Sequence, residues 1–170
     1  TGKTTLCTNV RQTPDLVYSV SCTTRPQRPG EKDGVDYFFL GKSDFEKKIK
    51  SGEMLEVADV YGQYYGTPKA PVLEHLAAGR DVLLDIDVQG ARQIRDSRDP
   101  KIQEALADIF IMPPDLEELR RRLEGRGTES AQQIAKRIQA ADAEMADWKR
   151  YRYTILSLSL IHISEPTRPE

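Results

Sequence analysis

Five residues at the head of the chain, Thr1-Gly2-Lys3-Thr4-Thr5, have the types and order of the second half of a phosphate-binding loop, G-x-x-x-x-G-K-[ST]. In such a loop the Lys ammonium reaches β- and γ-phosphates and a hydroxyl takes a Mg²⁺ ligand position. By themselves Gly2, Lys3, Thr4 and Thr5 are a weak signal, because Gly-Lys-Thr also occurs in ordinary surface turns. A second constellation is Ser21-Cys22-Thr23-Thr24-Arg25-Pro26-Gln27-Arg28-Pro29-Gly30. It sets two guanidinium forks three residues apart among hydroxyls, and such forks match phosphate oxygens bidentately. A third is Asp85-Ile86-Asp87, two carboxylates at a spacing that puts both on one side of an extended strand. Without further context, a solvated loop and a solvated strand end explain the second and third equally well.

The elements that must position these groups follow from periodicity. Val82–Asp87 and Ala107–Ile111 are short apolar runs that predict buried strands, and Leu16–Val20 is a further strand candidate. Helical spacing appears over about 3–12, 88–97, 115–124 and 130–150. Strands alternating with helices predict a parallel α/β sheet, with ligands at the carboxyl ends of its strands. Residues 30–66 break the rhythm with glycines and aromatic pairs such as Tyr64-Tyr65, which predicts a small inserted β-rich lobe.

Composition narrows the classes. The chain has 170 residues, 38% hydrophobic and 31% charged, which suits one polar-surfaced domain. A net charge of -2 argues against a nucleic-acid partner. No apolar run approaches the ~20 residues of a membrane span, so no membrane partner is expected. Cys7 and Cys22 follow no metal or disulfide spacing and read as small buried thiols in a reducing cytoplasm. His75 has no partner at metal spacing, Trp148 and Met145 fit a helical core, and Arg120 and Arg121 fit a solvated helix face.

The ordered run S-x-S-C-T-T-R-x-x-R-P-G-E, D-Y-F-F, Y-Y-G-T-P, L-D-I-D-V-Q-G and R-R-L-E-G-R-G-T-E strongly resembles the guanylate kinases, collinearly from about residue 1 to 155. The resemblance implies a P-loop nucleoside-monophosphate-kinase fold: a parallel sheet core (1–24 and 68–156), a GMP-binding lobe at about 25–67 and a helical lid at about 122–137. It implies transfer of the γ-phosphoryl group of Mg-ATP to GMP, giving GDP and ADP. The family's phosphate-holding Ser, two Arg and two Tyr fall on Ser21, Arg25, Arg28, Tyr37 and Tyr65. Its guanine-reading Glu, hydroxyl and Asp fall on Glu56, Thr67 and Asp85. Carboxylates accept from N1–H and the 2-amino group of guanine, a donor pair that adenine lacks, so such a site should reject AMP. By the same resemblance Asp87 goes with Thr4 to Mg²⁺ and its water shell. Lys3, Arg122, Arg126 and Arg137 go to the charge developing on the moving phosphoryl group. Gly125 and Gly127 would hinge the lid. No general base is required, since the acceptor phosphate is already an anion.

Two alternatives stand beside this reading. One is a guanylate-kinase-like domain that binds phosphopeptides without catalysis. Such domains typically lose the P-loop Lys and the lid arginines, whereas Lys3, Arg122 and Arg126 are present here. The other is a kinase for a different nucleoside monophosphate, against which Glu56 and Asp85 argue. The ends depart from the family pattern. The family's first strand and the glycine-rich half of its loop are missing ahead of residue 1, and three to five lost core side chains at about 1.5–3 kcal/mol each would rival a whole domain's stability. The segment 157–170, with His162, lacks the family's N-D-D pattern and reads as a non-native tail from adapter read-through. On this expectation the chain as written would be inactive.

Overall fold

The computed structural model describes residues 3–125 and 130–157. They fall into two compact units, residues 7–106 and residues 3–6 together with 107–125 and 130–157. The first helix, α1, is Lys3–Val10.

The larger unit contains two sheets. Strands β1 (Leu16–Tyr18) and β6 (Asp81–Leu83) pair in parallel, with Tyr18 opposite Leu83. Between them in sequence comes a four-stranded sheet in the order β3-β2-β5-β4, built from β2 (Cys22–Thr23), β3 (Phe38–Phe39), β4 (Met54–Val60) and β5 (Gln63–Pro68). β4 and β5 form an antiparallel hairpin that turns through Tyr61 and Gly62, both at positive φ. Helix α2 (Lys42–Lys50) seats Phe45, fully buried, against this sheet, where its ring stacks on Tyr64 at 5.7 Å. Helices α3 (Lys69–Ala77), α4 (Val88–Arg95) and α5 (Pro100–Ala105) supply Val72, Ile94 and Ile102 to one buried cluster. Leu55, Val82, Leu84 and Ile86 pack against it, so burial of apolar area holds the chain on either side of Asp85 in place.

The smaller unit pairs β7 (Ile109–Met112) in parallel with β8 (Tyr153–Leu156). Helices α6 (Leu116–Glu124) and α7 (Ala131–Met145) pack through Leu119, Leu123 and Ile134. Each starts at a side-chain cap, Asp115 for α6 and a reciprocal Ser130–Gln133 capping box for α7.

Some sequence expectations need correction. The strand expected over 82–87 ends at Leu83, because β1 leaves it after Ser19 N donates to Leu83 O at 3.0 Å. Asp85 and Asp87 therefore lie beyond the ladder, and Asp87 instead caps α4, accepting from Gly90 N at 2.9 Å. The helical pattern over 130–150 breaks at Met145 into a 3-10 helix, Ala146–Arg150. This tighter turn carries Trp148 outward, 41% exposed, rather than into the core. Cys7 and Cys22 are buried and free, as expected.

Candidate active site

In the larger unit, β2 and the loop after it gather the polar groups. Ser21, Cys22 and Thr23 are all buried, and Thr23 Oγ1 donates to Tyr64 O and accepts from Arg25 N at 3.1 Å. These bonds turn the chain so that the Arg25 side chain, 12% exposed, runs back beneath the aromatic residues. Its Nη2 donates to Glu31 Oε1 at 2.7 Å and its Nη1 to Pro26 O at 2.7 Å. The guanidinium lies 5.5 Å from the Tyr37 ring centre and 5.8 Å from that of Phe39. Burial works against the Arg25 cation, but bonds to Glu31 and Tyr65 outweigh it and raise its pKa. The Arg25 bond in turn holds the Glu31 carboxyl below its usual range.

Tyr37 and Tyr65 meet edge to face at 5.8 Å, so two phenols and Arg25 converge on one patch. Arg28 sits on the same loop, exposed, with its backbone N donating to Glu31 Oε2 at 2.8 Å. Glu31 thus pins both ends of the Arg25–Arg28 turn. A Glu six residues after an Arg gives no periodic signal, so the sequence reading gave Glu31 no role. The R-P-G-E run that carries it could have supplied one.

The second cluster stands on the β4–β5 hairpin. Glu56 and Thr67 are register partners, and Thr67 Oγ1 donates to Glu56 Oε1 at 2.6 Å. Glu56 is 4% exposed and Thr67 fully buried, a rare setting for a carboxylate. Tyr18 lies near Tyr37 of the first cluster. Burial, then the charge of Asp85, push its phenol up to about 12, and Tyr37 contributes in the same direction. Tyr18, Asp85 and Tyr37 therefore share one neighbourhood, with Arg11 stacked 3.2 Å from the Tyr18 ring centre. Tyr18 was read only as a strand residue, since alternation marks where it lies and not what it faces.

Asp87 accepts one hydrogen bond at each oxygen, from Gly90 N at Oδ1 and from Gln89 Nε2 at Oδ2 (3.1 Å). Among the described residues no group of three or more His, Cys, Asp or Glu could cage a metal ion. A lone carboxylate with spare lone pairs nonetheless fits Mg²⁺, which keeps its waters and takes most ligands from nucleotide phosphates.

In the smaller unit, Arg122 ties α6 to the chain just after β8. Its Nε donates to Glu118 Oε1 at 2.7 Å, and its two terminal nitrogens donate to Ser157 Oγ at 3.1 Å and to Ser157 O at 2.7 Å. Ser157 is buried and its N donates to Met112 O at 2.8 Å, extending the β7–β8 pairing through the residue where a foreign tail was expected to begin. Lys3 opens α1 half-buried, and Arg137 is half-buried on α7. Gly2, Arg126, Gly127 and His162 lie outside the described residues, as do the side chains of Thr4 and Thr5.

Burial of Cys22 has a measurable consequence. It pushes the thiol up to about 11, so little reactive thiolate forms at pH 8. Labelling by an aromatic disulfide reagent at pH 8 is expected to be at least about tenfold slower for Cys22 in the native chain than in denaturant. Equal rates would mean that β2 is open to solvent.

Comparison with known proteins bears on family and fold. A family model described as guanylate kinase matches residues 2–160. A guanylate kinase of Streptococcus agalactiae serotype III is 51% identical over 158 residues, 92% of this chain and 73% of the relative. One from Symbiobacterium thermophilum is 46% identical over 157 residues, 92% of this chain and 72% of the relative. The crystal structure of guanylate kinase from Anaplasma phagocytophilum superposes with a TM-score of 0.77 at 33% identity, covering 94% of this chain and 74% of that one.

Proposed function

Since this chain belongs to the guanylate kinase family, whose P-loop kinase fold it shares and whose activity is ATP-dependent phosphorylation of GMP, we infer how its own residues divide that work. The observation that carries the reading is the buried Glu56–Thr67 pair. A carboxylate kept out of water needs donors, and guanine brings N1–H and a 2-amino group. Thr67 orients Glu56, and Asp85, beside Tyr18 and Tyr37, takes the remaining guanine donor.

Arg25 and Arg28 receive the acceptor phosphate, with Ser21 and the phenols of Tyr37 and Tyr65 completing its donors. Glu31 keeps Arg25 extended before substrate arrives, so little ordering entropy remains to be lost on binding. Lys3 takes the phosphates of ATP, and Arg126 and Arg137 neutralise charge on the moving group, with the lid at about 122–137 closing over it. The bonds of Arg122 to Glu118 and Ser157 suit it to bracing that segment as well as to meeting phosphate. Thr4 and Asp87 would hold Mg²⁺ and its water shell. The ion, when bound, draws electron density from the phosphate oxygens. No side chain need act as a base, so positioning and charge provide the catalysis.

The residue division is a core of 1–24 and 68–156 with a GMP lobe at 25–67, within which most of the four-stranded sheet falls. Among the described residues no helix is long and apolar enough to cross a membrane. Two free thiols favour the cytoplasm as its place of work, and phosphorylation of GMP makes purine nucleotide metabolism its context. A coupled assay of ADP release with Mg-ATP and GMP, on a protein that carries the whole phosphate-binding loop, tests the reading. Release dependent on GMP supports it, whereas phosphopeptide binding without ADP release favours the non-catalytic alternative.

A further inference from the structure

Helix α4 meets the β4–β5 hairpin at a point where a side chain would run into Glu56. A Cβ built on Gly90 would stand 2.9 Å from Glu56 Cδ and 3.2 Å from Cγ, and inside contact distance of Oε2. Gly90 has no positive φ to explain its identity, so the requirement is for space. Nor can the helix draw back to make room. Gln93 treats the edge strand β4 as a neighbouring strand would: its Oε1 accepts from Val57 N at 3.0 Å and its Nε2 donates to Val57 O at 2.6 Å. Gln89 Nε2 donates to Asp59 O at 2.9 Å, and Ala91 and Ile94 are buried. Three hydrogen bonds and a buried apolar face thus fix α4 beside the residue following Glu56. A methyl group at position 90 has one outlet: the Glu56 carboxylate turns away and gives up its bond to Thr67.

We propose that Gly90 is a positioning residue for guanine selectivity, its missing side chain forming the socket that holds Glu56 in its reading pose, with Gln89 and Gln93 clamping that socket shut. This rests on the reading that Glu56 accepts hydrogen bonds from guanine. The Asp87 cap on Gly90 N links the socket to the residue assigned to the Mg²⁺ water shell, so one helical turn serves both.

The test is a double-mutant cycle read by GMP titration calorimetry, with steady-state KM values for GMP and ATP alongside. Gly90→Ala is expected to weaken GMP binding by about tenfold or more and to leave the KM for ATP unchanged. In a Glu56→Ala background, where the space is vacant, Gly90→Ala should cost less than about twofold. Equal costs in both backgrounds, or a raised KM for ATP as well, would overturn the socket and leave the reading of Glu56 intact. Unchanged GMP affinity in Glu56→Ala alone would overturn that reading itself. If Gly90→Ala does not fold, recovery of a cooperative melt in Gly90→Ala/Glu56→Ala supports the socket, and failure to recover refutes it.

Discussion

Glu56→Gln is expected to lower kcat/KM for GMP by about 10²–10³-fold, the cost of replacing a charged acceptor in a water-excluded site. The amide keeps the volume of the carboxylate, so packing against Gly90 changes little. It replaces one acceptor with an NH₂ group that faces the donors of guanine, and a buried donor–donor clash is worse than a missing bond. The buried Thr67 hydroxyl, which now donates to Oε1, could still donate to the amide oxygen, and that would aim the NH₂ group at the ligand. The loss should fall on GMP and not on ATP, giving a raised GMP KM at little-changed ATP KM in a two-substrate kinetic grid. A loss shared equally by both substrates would place Glu56 in the frame of the fold instead.

Arg25→Ala carries the second large effect, a fall in kcat/KM for GMP of about 10²–10³-fold. The substitution removes a cation from beneath Tyr37 and Phe39 and leaves the Glu31 carboxylate facing the pocket alone. An approaching phosphate would then meet a like charge. Arg25→Lys should recover only part of the loss, because an ammonium cannot donate to Glu31 and to phosphate through one planar fork. Removing Glu31 together with Arg25 should be milder than Arg25→Ala alone. These steady-state constants distinguish a phosphate ligand from a structural ion pair, for which Arg25→Ala and Arg25→Lys would shift the melting temperature and spare the GMP KM.

Parts of this site were legible in the sequence because local rules govern them. Arg25 and Arg28 share one loop, whereas Glu56 and Thr67, cross-strand neighbours on a hairpin, were placed only by the family resemblance. The helices at 88–95 and 116–124 announced themselves by apolar period, and their cores follow. Asp87 was misplaced on a strand because alternation cannot tell a ladder from an extended lead into a helix; the capping preference of Asp decided it. Trp148 was sent inward by a 3.6-residue period that stops at Met145. Glu31, Tyr18, Gly90 and Gln93 were given no part in the site, since each acts on a residue brought near only by tertiary packing. For Gly90 the partner lies 34 positions away in sequence, and glycine leaves no pattern of its own.

The measurement that bears most directly on the central claim is ADP release under saturating Mg-ATP with three acceptors, GMP, IMP and AMP. IMP keeps N1–H but lacks the 2-amino group, and AMP lacks both donors. If Glu56, Thr67 and Asp85 read those donors, kcat/KM must fall in the order GMP, IMP, AMP, with each lost donor costing about tenfold or more. Turnover of AMP equal to or faster than that of GMP would contradict the account.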